Sequence, residues 1–248
     1  MTEALGPVTA VLVIPALAAA LLVVLPGYRL TAVLNVLAAL LTFLAAVSLF
    51  FGRPQSTSYL LVDDLNNVFI VLTTFVGLTT SVFSASYIGH ELEIGRLTPR
   101  FLRFYHAMYQ LLMFAMNLAL LANNIGVMWV AIELATLTTV LMVGIYRTHE
   151  ALEAAWKYFI LGSVGIALAL FGTILVYMAA RPVIGEGFDA MIWTVLITRA
   201  SAFDPALRRA RQGSRLVHPR RRLRSSPLIR QATTQGDSNS TFRHREKR

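Results

Sequence analysis

The sequence predicts an all-α, polytopic membrane protein: a transmembrane bundle of about six spanning helices followed by a basic, disordered tail. Of its 248 residues, 56% are hydrophobic and only 14% are charged, whereas an ordinary soluble domain has roughly 25% charged residues. The basic residues are unevenly placed, since 14 of the 22 Lys and Arg lie from Arg199 onward. This composition excludes a single water-soluble globule. It predicts a bundle over residues 1–198 and a tail over residues 199–248.

Six apolar stretches reach the length of about 20 residues that a spanning helix needs. They are residues 8–25, 31–51, 68–88, 101–121, 125–146 and 154–180. The first stretch has no basic segment before it and is too long for the core of a signal peptide, so we expect a retained helix. The links between the stretches are short, which indicates one helical bundle without an inserted soluble domain.

Arginine in the links predicts the orientation, because cytoplasmic loops carry an excess of Lys and Arg. The links after odd-numbered spans carry five arginines: Arg29, Arg96, Arg100, Arg103 and Arg147. The links after even-numbered spans carry two, Arg53 and Arg181. We therefore expect a multi-pass protein of the cell (inner) membrane with its N-terminus outside. By the same count the tail begins outside, although the rule disfavours so basic a segment there.

The predicted tail, residues 199–248, carries a net charge of +11 (14 bases against three acids) and has no apolar run able to span or fold. Its composition predicts disorder. A basic arm can bind anionic lipid or nucleic acid, but we expect no nucleic-acid partner and favour a segment without selected function, such as an out-of-frame end. The run MIWTVLI at 191–197 is too short to span and is expected at the membrane interface.

The chain contains no cysteine, so it has no thiolate ligands for an iron–sulfur cluster or a zinc site. His90, His106 and His149 fall near the ends of spans and are interpreted as boundary residues rather than haem ligands. We therefore predict no cofactor and no metal site in this chain, and any electron-transfer centre must lie on another subunit.

Ionisable residues inside spans are informative, because a charge at the bilayer centre costs at least about 2.5 kcal/mol and usually marks an ion path or a buried pair. Glu133 lies nine residues beyond Asn124, which corresponds to a depth of roughly 13 Å in a helix. A carboxyl group at that depth is suited to carrying protons. The alternative is a protonated side chain that forms an interhelical hydrogen bond.

Lys157 is the second candidate, at the start of the sixth span. It lies only about 6 Å beyond Glu153, where we expect the helix to begin, so snorkelling of the ammonium group to the interface is an alternative. Glu153 precedes it at the i, i+4 spacing that favours an ion pair. A deep carboxylate and a lysine in the next helix form the pattern of a proton relay.

Other polar and aromatic residues in the spans have ordinary structural interpretations. Thr136, Thr138 and Thr139 could carry waters beside Glu133, but threonine is also common in helix packing. Asn117 is expected to form interhelical hydrogen bonds. Trp129 and Trp156 are expected to anchor the helices at the membrane interface.

Two runs in the fifth and sixth spans carry a family resemblance: ANNIGVMWVAIELATLTTVLMVGIY at 122–146 and LEAAWKYFILGSVGIALALFGTILVY at 152–177. They resemble the antiporter-like membrane subunits of the complex I and hydrogenase superfamily, most strongly hydrogenase-4 component F. Weaker matches are DDL at 63–65, SASYIGHE at 84–91 and DPAL at 204–207. The family continues after DPAL into a further span and a broken helix with a Gly-Thr-Lys segment. This chain diverges after residue 207, which leaves open both a truncated or frame-shifted gene and a functional short subunit.

The resemblance implies a proton-translocating membrane subunit of a hydrogenase or NADH:quinone oxidoreductase-like complex. Glu133 matches the family's fifth-helix glutamate and Lys157 its sixth-helix lysine, so Glu133, Lys157 and Glu153 form the predicted proton path. The chain itself would hold no redox centre, which leaves open whether it counts as an enzyme. Expected partners are the other membrane and hydrophilic redox subunits, the lipid bilayer and a nearby quinone. Alternatives are a non-catalytic structural subunit and a small independent secondary transporter.

Overall fold

The computed structural model describes residues 6–25, 27–52, 57–95 and 97–202, which are mostly helical. Six of the helices are long and apolar enough to cross a membrane, as the sequence predicts. They are α1 Gly6–Val24, α2 Tyr28–Ser48, α3 Asp64–Glu93, α4 Pro99–Leu121, α5 Ile125–Val143 and α6 His149–Ile184. A 3₁₀ turn, Gly144–Tyr146, follows α5, and a short helix, α7 Trp193–Arg199, follows α6. The predicted all-α fold class is therefore confirmed.

The helices begin where side chains can satisfy the free backbone N–H groups of a first turn. The Asn124 side chain accepts hydrogen bonds from the backbone N–H groups of Gly126 and Val127 at 2.9 and 3.2 Å. Thr148 caps α6 in the same way through the N–H of Ala151. This cap starts α6 at His149, five residues before the predicted start at 154, and the helix ends at Ile184, four residues after the predicted end at 180.

α6 therefore has 36 residues and a length of about 54 Å, which exceeds the roughly 30 Å of a hydrocarbon core. At least one end of α6 must extend beyond the core or the helix must tilt. The apolar pattern underestimated the length of α6, because polar residues such as Glu150 belong to the helix although they lie outside the apolar stretch.

Three links meet at one end of the bundle through backbone hydrogen bonds. The N–H of Leu61 donates to the carbonyl of Leu121 at 2.8 Å, and the N–H of Asn123 donates to Tyr59 at 2.9 Å. The N–H of Trp193 donates to the carbonyl of Asn123 at 2.7 Å. The links after α2, α4 and α6 therefore lie together, as an up-and-down arrangement of six spans requires. We call this the even end.

The links after α1, α3 and α5 lie at the opposite end, which we call the odd end. An apolar cluster joins Ile88, Leu97, Leu102 and Ile145 there, with Tyr28 packed against it. The same region carries most of the arginines from which the sequence predicts the orientation. The structure therefore places these arginine-rich links at one end of the bundle.

α4 is the central helix, since it packs against α1, α2, α3 and α5. α6 packs mainly on α5, and its most apolar 18-residue window has no buried residue. A helix this apolar and this exposed must face lipid or another membrane protein.

The predicted start of the tail falls inside helical structure. Arg199 is the last residue of α7, and Ala200–Ala202 form a 3₁₀ turn. The run at 191–197 contributes to α7, which packs at the even end through Leu196. The remaining predicted tail, residues 203–248, lies outside the described residues.

We predict that Asn123→Ala destabilises the even end. Asn123 is 2% exposed, and its Nδ2 donates to the Thr57 carbonyl at 2.9 Å and to Thr194 Oγ1 at 3.3 Å. Loss of the side chain removes both bonds, at a cost of about 1–3 kcal/mol. Thermal unfolding of the purified protein in detergent, followed by circular dichroism, measures the change. The control is Asn66→Ala, which removes only one 3.4 Å bond at the same end; an equal loss in both variants would contradict the prediction.

Candidate functional site

Glu133 lies near the middle of α5. It is the ninth of the 19 residues of this helix, which places it about 12 Å from the first residue and about 15 Å from the last. The deep position that the sequence predicts for this carboxyl group therefore agrees with the bounds of the helix.

Glu133 shares a helix face with Trp129 and Thr136, at the i−4 and i+3 positions. Trp129 Nε1 donates a hydrogen bond to the backbone carbonyl of Ile166 in α6 at 3.0 Å. Thr136 approaches Gly162 of α6 so closely that a Cβ atom there would lie 3.2 Å from its Cγ2. Because both neighbours on this face contact α6, Glu133 lies on the side of α5 that faces α6.

The Glu133 carboxyl group has a buried oxygen without a partner. Its Oε2 atom is buried and forms no hydrogen bond with any part of the chain that the structure describes. On α6, Gly162 meets this face without a side chain. Buried carboxyl oxygens in proteins usually have a hydrogen-bond partner, and an ionisable residue within a membrane span is a candidate functional residue.

Lys157 and Glu153 form an ion pair on the outer surface of α6. The predicted i, i+4 pairing is therefore present, but both side chains are exposed, at 74% for Lys157 and 51% for Glu153. The predicted helix start at Glu153 was wrong, because α6 begins at His149. Lys157 is consequently about 12 Å along the helix.

The structure does not bring Glu133 and Lys157 into contact. α5 and α6 run antiparallel, with Trp129 beside Ile166, Thr136 beside Gly162 and Thr139 beside Tyr158. In this register Glu133 lies level with about residue 164, seven residues from Lys157, or roughly 10 Å along the axis. The two groups cannot exchange a proton directly, so a relay between them needs intermediate groups.

Hydroxyl groups occupy the interval between these two levels. Thr139 Oγ1 lies 3.3 Å from the hydroxyl oxygen of Tyr158, the neighbour of Lys157 in sequence. Thr136 lies one turn nearer to Glu133, and its hydroxyl donates to the Ile132 carbonyl at 3.0 Å. Both threonine oxygens keep lone pairs that can accept further hydrogen bonds. Thr138 is buried, and its hydroxyl bonds to the backbone of its own helix.

A second set of buried polar groups lies on α4, and the sequence analysis missed it. His106, Gln110 and Asn117 fall on one face of the helix and are completely buried. Gln110 Nε2 donates to the backbone carbonyl and to Oδ1 of Asn35 in α2, at 3.0 and 2.9 Å. Both ring nitrogens of His106 and both amide atoms of Asn117 are buried without a partner among the described residues.

One interpretation of these residues was wrong, and one stays a prediction. His106, expected near a membrane boundary, is 0% exposed inside the bundle, and its depth in the membrane stays a prediction. Asn117 was expected to form interhelical hydrogen bonds, and its side chain makes none within the described ranges. The spacing 106, 110, 117 follows one helix face, so the face itself could have been recognised from the sequence. The hydrogen bonds of this set come from Gln110 and run to Asn35 in α2.

Trp129 forms a helix contact that was not expected. Its indole N–H bonds to the backbone of α6 one turn before Glu133, and its role as an anchor at the membrane interface stays a prediction. This bond holds α5 and α6 in register beside the carboxyl group.

Comparison with known proteins gives consistent matches. Residues 122–195 match the family described as NADH:quinone oxidoreductase/Mrp antiporter, TM. The chain is 58% identical over 198 residues to a hydrogenase-4 component F homolog from Methylacidiphilum infernorum, covering 80% of this chain and 42% of that protein. It is 30% identical over 155 residues to NADH-quinone oxidoreductase subunit N 2 from Thermodesulfovibrio yellowstonii, covering 62% of this chain and 32% of the relative.

A third relative is F(420)H(2) dehydrogenase subunit N from Methanosarcina mazei, which is 34% identical over 122 residues, or 48% of this chain and 22% of that protein. The chain thus spans less than half the length of each of these relatives. The matched family segment contains Glu133, Glu153 and Lys157. The resemblance predicted from the sequence is confirmed.

Proposed function

We propose that the chain moves protons across a membrane as part of a hydrogenase or NADH:quinone oxidoreductase-like complex. The chain is an antiporter-like relative of the membrane subunits of these complexes. The observation that carries this proposal is the Glu133 carboxyl group, which lies near the middle of a spanning helix with a buried, unpartnered oxygen. A titratable group at this depth can take up a proton from one side and release it towards the other.

In this proposal the path runs from Glu133 towards the Glu153–Lys157 pair. Thr136, Thr139 and Tyr158 supply hydroxyl oxygens along the α5–α6 contact between the two levels. The ion pair lies at the end of the path that is nearest the odd end of the bundle. There the Lys157 ammonium group can release or retain the Glu153 carboxylate as the charge on Glu133 changes. The exposure of the pair on α6 supports a position next to lipid or another subunit rather than inside this bundle.

Redox chemistry belongs to partner subunits in this account. The partners are other membrane subunits and hydrophilic redox subunits of the complex, and any quinone is bound outside the proton path described here. This chain contributes proton transfer and no electron-transfer centre of its own. Affinity purification of the chain from its native membrane tests this assembly: recovery with cysteine-rich redox subunits supports it, and recovery of the chain alone would favour an independent transporter.

A non-catalytic scaffold is the second candidate. It is favoured by the outward direction of Lys157 and by the lack of contact between Lys157 and Glu133. The two candidates are separated by proton movement per redox turnover in a Glu133→Gln variant. A scaffold would leave this ratio unchanged, whereas the proposed path requires Glu133.

We further propose that the chain lies in the cell (inner) membrane with its N-terminus outside, so that the odd end is cytoplasmic. Most arginines of the links lie at the odd end, and positively charged links are retained in the cytoplasm. Thr98 lies in the link after α3 at this end, and Ser58 lies in the link after α2 at the even end; both are exposed.

The predicted orientation can be read from single cysteines, because the chain has none of its own. In intact cells, a membrane-impermeant maleimide should label Ser58→Cys and should label Thr98→Cys only after the membrane is opened. The full-length chain without cysteine is the control for background labelling. Labelling of Thr98→Cys from outside, with Ser58→Cys protected, would reverse the orientation.

A further inference from the structure

A large apolar groove opens at the odd end between α4, α5 and α6. Its volume is about 880 Å³, within the range of roughly 300–1,000 Å³ that small-molecule sites occupy. Its walls are almost entirely apolar and include four aromatic side chains, Phe101, Phe104, Trp156 and Phe159. None of the residues of the proposed proton path lines it, so the groove is a separate feature.

Two arginines line the same groove. Arg100 lies in the first turn of α4, and Arg147 follows the 3₁₀ turn after α5. The guanidinium carbon of Arg147 lies 4.7 Å from the centre of the Phe101 ring, a cation–π contact that holds it beside the groove. Arg147 also has a φ of 53°, a left-handed conformation that is costly for a residue other than glycine.

These arginines have no anionic partner in the described part of the chain. The ion pairs found there join other residues, and the carboxylate of Glu153 is already paired with Lys157. Both guanidinium groups are exposed. The groove thus combines two uncompensated positive charges with walls that only an apolar group can cover.

The groove also matches the direction and the length of a lipid acyl chain. Leu137, which lines its inner part, precedes Arg147 by ten residues of the α5 segment, or roughly 15 Å. This is about half the thickness of a hydrocarbon core. A molecule with a negative head at the arginines and an apolar chain running towards Leu137 would therefore lie within one leaflet.

We propose that this groove binds an anionic phospholipid, with its phosphate between Arg100 and Arg147 and an acyl chain against the aromatic walls. Arginine suits this role because its planar guanidinium group can donate two hydrogen bonds to one phosphate. A neutral quinone or a zwitterionic lipid would fill the apolar part but would not neutralise the two arginines. Basic pockets between spanning helices on the cytoplasmic side are typical sites of such lipids.

Trp156 provides a reporter inside the groove. The full chain is reconstituted in phosphatidylcholine vesicles that contain a small fraction of either brominated phosphatidylglycerol or brominated phosphatidylcholine. Bromine quenches tryptophan fluorescence only on close approach, and the same measurement in Trp156→Phe isolates the groove signal from Trp129 and Trp193. We expect phosphatidylglycerol to quench Trp156 at a much lower mole fraction than phosphatidylcholine.

The double variant Arg100→Gln/Arg147→Gln should lose this preference by roughly 25-fold, since each arginine near the surface is worth about fivefold in affinity for anionic lipid. The matched control, Arg29→Gln/Arg103→Gln, removes the same charge from the same end, and neither residue lines the groove. It should keep most of the preference. Equal losses in the two double variants would overturn the proposal, because the preference would then come from general surface charge.

Competition separates the lipid from other occupants. Excess inorganic phosphate should leave the quenching by phosphatidylglycerol largely unchanged, because it lacks the acyl chain. If inorganic phosphate abolished the preference, the site would be an anion site and not a lipid site. If a short-chain quinone displaced phosphatidylglycerol completely at equal concentration, the assignment to an anionic lipid would be wrong.

Discussion

Replacing Glu133 by Gln is expected to slow proton transfer through this chain by about 100-fold or more, which is the usual contribution of a positioned proton-transfer group. The substitution keeps the size and the hydrogen-bonding ability of the side chain but removes the titrating group. Insertion, assembly and redox turnover should therefore survive. The measurement is proton uptake by vesicles that contain the assembled complex, divided by its redox turnover.

Two variants make this result interpretable. Glu133→Asp keeps a carboxyl group and shortens its reach, so it should lose much less. Glu150→Gln is the matched control, because it is the same substitution at an exposed position in the first turn of α6. It should leave the ratio of protons to turnover unchanged. If Glu133→Gln retained the full ratio, Glu133 would serve only in packing and the scaffold function would be preferred.

Gly162→Leu is expected to weaken the contact between α5 and α6 severely. Small residues let spanning helices approach closely, and a Cβ at Gly162 would already lie 3.2 Å from Thr136 Cγ2. A leucine must push the helices apart, at a cost of about 1–3 kcal/mol. The hydrogen bond from Trp129 to Ile166 should be lost as well. Because Glu133 lies on this face, proton transfer should fall along with stability.

The same helix offers a control for this prediction. Nothing lies within 4 Å of a Cβ position at Gly172, so Gly172→Leu adds the same side chain to α6 without a clash. Size-exclusion chromatography of a fluorescent fusion after heating in detergent gives the folded fraction of each variant. We expect a marked loss of the folded fraction for Gly162→Leu and little change for Gly172→Leu. Similar losses would show that Gly162 is not at a helix contact.

The spanning helices could be predicted from the sequence because long apolar stretches have few alternatives in a membrane. The helix ends were less predictable where polar residues belong to the helix, as in the first residues of α6 from His149 onward. The depth of Glu133 followed from counting residues. The direction of each side chain could not be predicted in this way, because α5 and α6 are largely apolar on all sides. Only the packing of the helices decides which face meets a neighbour.

His106 and Lys157 show that the direction and burial of a side chain could not be predicted from the sequence. The sequence pattern did not indicate that His106 is buried, whereas the packing of α4 among four other helices buries it completely. Lys157 pairs with Glu153 as predicted, but its side chain lies on the outer surface of α6 and does not contact Glu133. The i, i+4 pair was predictable because its geometry is local to one helix. The distance to Glu133 depends on the register between two helices, which the sequence pattern does not specify.

In the proposed function, Glu133 gains and loses a proton during redox turnover of the complex. Infrared difference spectroscopy of the assembled complex, poised in its oxidised and reduced states, detects this directly through the C=O stretch of a protonated carboxyl group. We expect a difference band in this region that disappears in Glu133→Gln and is retained in Glu150→Gln. A spectrum that is identical in the wild type and Glu133→Gln would contradict it.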